Sequence, residues 1–146
     1  MIEVIVEEPA WRASEPRAAA IARAAAAATL RAERRRGADL AILLAADARV
    51  RALNVTFRGK DQPTNVLSFP AGRGDAALGD IALAFGVCAR EAAEQRKSLA
   101  DHLSHLTAHG ILHLFGYDHE TDADAEIMEA KERAILASLG VADPYA

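Results

Sequence analysis

Three histidines in the last third of the chain have a spacing that suits a metal ion. His109 and His113 are four residues apart, so on a helix their rings lie on one face and can reach a common point. Gly116 can end that helix and turn the chain back, which lets His119 approach as a third ligand. Three neutral imidazoles leave a fourth position open, as in catalytic zinc sites. The sequence therefore predicts one zinc ion on these three histidines, and hydrolytic chemistry.

Two further histidines precede this group, and one of them offers an alternative ligand pair. His105 lies four residues before His109, just as His109 lies four residues before His113. However, His105 and His113 are separated by about 12 Å along a helix axis, too far to share one ion. The glycine turn and His119 favour the later pair. We therefore expect His102 and His105 to be structural or to orient the ligands.

The spacing H-x-x-x-H-x-x-G-x-x-H is also that of the metzincin zinc proteases. Those enzymes need a glutamate directly after the first histidine as general base. Here that position is Gly110, which has no side chain to accept a proton. The ligand set is kept and the proteolytic base is lost, so the sequence argues against a peptidase. Ser68, Asp80 and Asp118 remain as candidates for a general base, without a ranking.

The elements that position these residues follow from hydrophobic periodicity and turn signals. Four strands are predicted, at 2–7, 39–46, 65–70 and 79–84, with a Gly-rich turn at 71–79. Five helices are predicted, at 15–36, 48–55, 86–97, 100–115 and 122–139. This order indicates a single mixed α/β domain over residues 1–146, with about five helices packed on a small four-stranded sheet.

Several details of these elements can be tested by the structure. Ser14, with Pro16 just behind it, is expected to begin the first helix and Gly37 to end it, and Asp47 is expected to cap the second helix. The near-continuous apolar run 39–46 is typical of a strand covered on both faces. The acidic residues within 118–132 are expected to form a solvated helix face. Cys88 and Met128 are expected in the core.

Composition excludes some classes of protein but does not identify a partner. The net charge is −4, but residues 1–60 sum to +4 and residues 61–146 to −8, so a basic half exists within an acidic chain. No apolar stretch reaches the ~20 residues that a membrane span needs. The lone Cys88 cannot form an internal disulfide and suits a reducing compartment. We expect a cytoplasmic protein that does not interact with a membrane.

Four segments together resemble the bacterial YbeY family of single-domain, metal-dependent endoribonucleases that act in ribosomal RNA maturation. HGILHLFGYDH (109–119) is similar to the family signature, and LNVTFRGKDQPTNVLSFP (53–70) is similar to its central block. LGDIALA (78–84) and MEAKERAILASLG (128–140) are similar to the following strand and the C-terminal helix. One position departs from the pattern, because Asn65 stands where the family block usually has Asp.

The resemblance implies both a fold and an activity. The sheet should have three parallel strands and one antiparallel strand. Zinc should be held by the three histidines, and the substrate should be single-stranded RNA, in ribosomal RNA maturation and ribosome quality control. Small-subunit ribosomal proteins and assembly GTPases are the implied protein partners, and DNA is not expected as a substrate or partner. Arg58 matches an arginine of functional importance in the family, and an arginine beside an open metal position can orient a phosphate.

Other basic residues are weaker candidates for RNA contacts. Arg34 and Arg35 belong to a run of arginines that can bind phosphates or simply complement a helix dipole. Lys60 follows Arg58 in the segment FRGKD. Two alternatives to a ribonuclease remain open from the sequence: a metal-dependent hydrolase of another substrate, and a non-enzymatic ribosome assembly factor with a structural zinc.

Overall fold

Four strands form one mixed sheet, in a computed structural model that describes residues 1–71 and 77–146. The strands are β1 (Ile2–Val6), β2 (Asp39–Ala45), β3 (Val66–Pro70) and β4 (Ala77–Ala84). Their order is β1-β2-β4-β3; β1, β2 and β4 are parallel, and β3 is antiparallel to β4. The expected three-plus-one sheet is confirmed. Most of the predicted Gly-rich turn, residues 72–76, lies outside the described residues.

Six helices surround the sheet in the described part of the chain, one more than predicted. They are α1 (Ala10–Ser14), α2 (Ala18–Ala32), α3 (Asp47–Arg58), α4 (Phe85–Glu94), α5 (Leu99–Leu114) and α6 (Asp122–Ser138). None of them is both long and apolar enough to cross a membrane.

The predicted helix 15–36 is wrong at both ends. Glu15 is extended (φ −143°, ψ 95°) because the ring of Pro16 disfavours helical dihedrals in the residue before it, and this separates α1 from α2. At the other end, Arg34 adopts a left-handed conformation (φ 57°) just beyond Ala32. The arginines at 34–36 therefore follow the helix and are not part of it.

Helix α3 differs from its prediction in length and capping. It continues to Arg58 and ends at Gly59, whose φ of 67° is the left-handed conformation that glycine adopts without strain. Asp47 does not cap α3. Its Oδ1 accepts a hydrogen bond from the backbone N–H of Val87 in the first turn of α4, 3.1 Å away, and so satisfies a donor of a different helix.

The core lies mainly on one face of the sheet. Leu40, Ile42 and Leu44 of β2 are buried against α2 and α5. On the opposite face, α3 and α4 cover only one end, and Ala41 and Leu43 remain half-buried. The expectation that β2 is covered on both faces is thus wrong over its first part. Cys88 and Met128 are buried in the core as expected.

Candidate metal centre

Helix α5 and the turn after it bring three imidazoles together. Ser98 caps α5 by accepting a hydrogen bond from the N–H of Asp101, and the apolar side of the helix packs against α2 and the sheet. Gly116 has a φ of 98°, and the turn that it makes returns the chain to His119. One nitrogen of each ring of His109, His113 and His119 lies within 4.8 Å of the other two.

Two of these imidazoles have their tautomers fixed by acceptors. Nδ1 of His113 lies 2.8 Å from the carbonyl oxygen of Tyr117, and Nδ1 of His109 lies 2.7 Å from the carboxylate of Glu132. A carbonyl or a carboxylate oxygen can only accept, so both Nδ1 atoms donate. Each Nε2 is left with a lone pair, which is the form in which histidine binds a metal.

The Nε2 atoms of His109 and His113 face each other across the site. Nε2 of His109 and Nε2 of His113 are 3.1 Å apart. Burial, and then the neighbouring His109, lower the pKa of His113, which favours the neutral form of the ring that binds a metal ion. Tetrahedral Zn–N bonds of about 2.1 Å separate two nitrogens by about 3.4 Å. The donor set therefore fits a cation such as zinc.

Glu132 of α6 is a buried carboxylate that orients the site. Its side chain has no exposed surface and accepts hydrogen bonds from His109 at 2.7 Å and from the Tyr145 hydroxyl at 2.6 Å; Nε2 of His105 lies 3.3 Å from Oε1. Burial opposes ionisation of this carboxyl, but the hydrogen bonds outweigh burial and lower its pKa to about 2. The expectation that the acidic residues of 118–132 form a solvated face is wrong for Glu132.

We expect Glu132→Gln to lower the affinity for the metal ion by about 10- to 100-fold, the usual effect of losing the group that orients a ligating histidine. The amide keeps the size of the side chain but removes the charge that holds Nδ1 of His109. Competition with a chromophoric chelator measures the affinity. Glu126→Gln, at an exposed position of α6, is the matched control. Equal affinities in the two variants would contradict the orienting role of Glu132.

Arg58 reaches the same site from the opposite side. A cavity of about 380 Å³ is lined by the three histidines and by residues of α3, β3 and the segment before β3: Arg58, Thr64, Asn65, Val66, Ser68 and Pro70. Nη2 of Arg58 donates a hydrogen bond to the carbonyl oxygen of Ser68 at 3.1 Å. Among the described residues no carboxylate forms a salt bridge with Arg58, so its positive charge is available to a ligand in the cavity.

Comparison with known proteins identifies the family. The profile of the Endoribonuclease YbeY family matches residues 6–140. This chain belongs to the YbeY endoribonuclease family.

Similar proteins agree with this membership along almost the whole chain. The endoribonuclease YbeY of Rhodopseudomonas palustris (strain HaA2) is 48% identical, over 99% of this chain and 80% of that protein. Those of Bradyrhizobium sp. (strain BTAi1) and Maricaulis maris are each 51% identical, over 99% of this chain and 91% of theirs. A protein from Thermotoga maritima, solved in solution, has the same fold, with a TM-score of 0.64 and 24% identity over 95% of this chain and 91% of its own.

The three candidate general bases of this YbeY family member differ in their distance from the histidine cavity and in their hydrogen bonds. Ser68 lines the histidine cavity, but its hydroxyl donates to the carbonyl oxygen of Gly110 at 2.8 Å. Oδ1 of Asp118 accepts from the N–H of Glu120 at 3.2 Å. Asp80 lies on β4 and lines a different cavity, on the open face of the sheet. Ser68 is therefore the one of the three that borders the cavity.

Gly110 faces the sheet, where Val66 and Ser68 leave little room for a side chain. A Cβ at this position would lie 3.0 Å from Cγ2 of Val66 and 3.3 Å from Oγ of Ser68. We expect Gly110→Glu, which restores the metzincin signature, to destabilise the protein by about 3 kcal/mol or more through overpacking and a buried charge, and to create no peptidase. Urea unfolding and a casein assay measure the two effects.

Gly37→Glu is the matched control for this substitution. Gly37 is exposed, and an added Cβ there meets no atom within 4 Å. The free energy of unfolding of the Gly37→Glu variant should stay within about 0.5 kcal/mol of the wild-type value. A stable Gly110→Glu protein with chelator-sensitive peptidase activity would overturn this account of the helix–sheet contact.

Asn65 has a structural partner that explains why the amide fits here. Its Nδ2 donates to the Glu91 carboxylate at 3.1 and 3.3 Å, and the same carboxylate lies 2.9 Å from Nε2 of His102. An aspartate at position 65 would place two carboxylates against each other in this arrangement. His102 thus belongs to a network that supports the segment before β3, consistent with the structural role expected for it.

The residues predicted to contact RNA lie outside the histidine cavity. Arg34 follows α2, Lys60 follows α3, and both are exposed. The guanidinium of Arg35 lies 5.9 Å from the ring centre of Phe115, just after α5. RNA contacts by these three residues stay a prediction.

Proposed function

We propose that this chain is a zinc-dependent endoribonuclease specific for single-stranded RNA, acting in ribosomal RNA maturation and ribosome quality control. Its metal ligands are His109, His113 and His119. The observation that carries the proposal is the pair of Nε2 atoms that face each other at 3.1 Å, while an acceptor holds the Nδ1 side of each ring. With a nitrogen of His119 within 4.8 Å of both, these atoms form a set of ligands suited to one cation.

The proposed chemistry is cleavage of a phosphodiester bond. A zinc ion bound there would supply Lewis acidity toward a phosphoryl oxygen. The Ser68 carbonyl holds one nitrogen of Arg58, and the remaining donors of that guanidinium can bind the non-bridging oxygens of the phosphate. The positive charge then offsets the negative charge that builds up as the bond breaks.

The setting of the enzyme is part of the same proposal. Ribosomal RNA is the substrate. Small-subunit ribosomal proteins and assembly GTPases are the partners that would bring the enzyme to this RNA. The single thiol, Cys88, is buried, and the chain contains no second cysteine with which it could form a disulfide, which suits the cytoplasm.

The decisive experiment incubates metal-quantified protein with a structured ribosomal RNA precursor. We expect internal cleavage in single-stranded regions, loss of cleavage on chelation, and recovery when zinc is added back. Mapping of the product ends distinguishes attack by water from attack by the RNA 2′-hydroxyl. If the protein cleaves no precursor while ribosome assembly fails in its absence, the assembly-factor interpretation replaces this proposal. Chelator-sensitive proteolysis without RNA cleavage would favour the peptidase.

A further inference from the structure

An apolar groove crosses the face of the sheet that α2 and α5 leave uncovered. Its volume is about 850 Å³, and apolar side chains of the strands and of α3 form much of its lining: Ile5, Ala41, Leu43, Leu53, Phe57 and Phe69. Phe57 is 66% exposed, and its ring packs edge-to-face on Phe69 with centroids 5.3 Å apart. A large aromatic ring held at the edge of an apolar groove in contact with water indicates a binding surface.

The groove adjoins the candidate metal centre. Arg58, Ser68 and Pro70 line both the groove and the histidine cavity. Phe57 immediately precedes Arg58 at the end of α3. A ligand whose phosphate is bound by Arg58 can therefore extend directly into the groove.

We propose that this groove binds the single-stranded RNA segment next to the scissile phosphodiester, with bases stacked on Phe57 and Phe69. The proposal rests on the function proposed above and adds the path of the substrate to it. An endonuclease must hold nucleotides beside the bond that it cuts. Aromatic rings bind the flat faces of bases regardless of sequence. Those faces are covered in a duplex, so this surface also accounts for a preference for single strands.

The charges along the groove favour one path for the phosphates of the strand. At the end shared with the histidines, Arg58 forms no salt bridge with any carboxylate of the described residues and can attract phosphate. Elsewhere along the groove, Arg49 lies 3.5 Å from Glu7, which offsets its charge, and the exposed Asp80 repels phosphate. An RNA strand therefore enters beside Arg58 and Phe57, and its phosphates avoid Asp80.

The test compares three variants of the zinc-loaded protein on a short single-stranded RNA. We expect Phe57→Ala to raise KM by about 10- to 100-fold with little change in kcat, because the loss of a stacking platform weakens binding without altering the chemistry. Phe57→Trp should retain a KM near that of the wild type. Val55→Ala is the matched control: Val55 is 45% exposed on the same helix and lines neither cavity, so KM should not change.

A cross-linking experiment tests RNA binding in the groove independently of RNA cleavage. RNA carrying 5-iodouridine near the cleavage site should cross-link to peptides that contain Phe57 or Phe69, whether or not the protein cleaves it. If wild type cleaves nothing and this cross-link still forms, the proposed function fails and the groove assignment stands. An unchanged KM in Phe57→Ala, or cross-links confined to Arg34 and Arg35, would overturn the assignment. So would a dimer that Phe57→Ala dissociates without changing KM, because a second copy would then occupy the groove.

Discussion

His119→Ala is expected to lose most of its bound zinc and to cleave RNA about 10³-fold more slowly than wild type. The loss of one of three imidazoles weakens the site, and a metal ion contributes several kcal/mol to stabilising the charge of a phosphoryl transition state. His119 is exposed and follows α5, so this substitution does not disturb the core. Elemental analysis and single-turnover cleavage measure the two effects, and the melting temperature of the metal-stripped proteins tests that the fold is kept.

Two comparisons make this result specific. Glu120→Ala changes the exposed neighbour of His119 and should retain both zinc and activity. The triple variant His109→Ala/His113→Ala/His119→Ala should contain no zinc at all. Full zinc occupancy in the triple variant would show that the metal binds elsewhere, and the ligand assignment would then be wrong.

Arg58→Ala is expected to lower the cleavage rate by about 10²–10³-fold while leaving zinc content and melting temperature nearly unchanged. Removing a donor from a preorganised site that stabilises developing charge has an effect of this size. Arg58 is exposed at the end of α3 and borders the histidine cavity, so the fold depends little on its side chain. Arg58→Lys keeps the charge but not the planar arrangement of donors, and should recover part of the rate.

Arg51→Ala is the matched control for Arg58. Arg51 lies on the same helix, but it is paired with Asp61 at the surface, 2.5 Å away, and does not line the histidine cavity. Such exposed pairs contribute little to stability, and this variant should cleave like wild type. If Arg58→Ala also cleaves like wild type, Arg58 has no part in the reaction. If its melting temperature falls sharply, the hydrogen bond to Ser68 has a structural role instead.

Local signals in the sequence were sufficient for the elements and for the grouping of the histidines. A spacing of four places His109 and His113 on one helix face in any context, and Gly116 marks the turn because few other residues accept its φ of 98°. The four strands and five of the six helices were found in the same way, from local patterns of apolar residues and from the glycines and prolines that bound them. Apart from the missed helix α1, the errors in the elements lie at boundaries, as at Glu15, where the residue before a proline interrupts a helix that its neighbours favour.

Contacts between distant segments were decided only by the tertiary structure. Glu132 lies 23 residues after His109, in a helix whose other acids are mostly exposed. Only the packing of α6 on α5 shows that this acid is buried and accepts a hydrogen bond from the imidazole of His109. Arg58 and Ser68 meet because α3 runs over the sheet toward β3. The open groove depends on how far α3 and α4 extend across the sheet. A pattern of residue types records which side chains prefer burial, but not which partner each will meet, because that depends on the packing of whole elements.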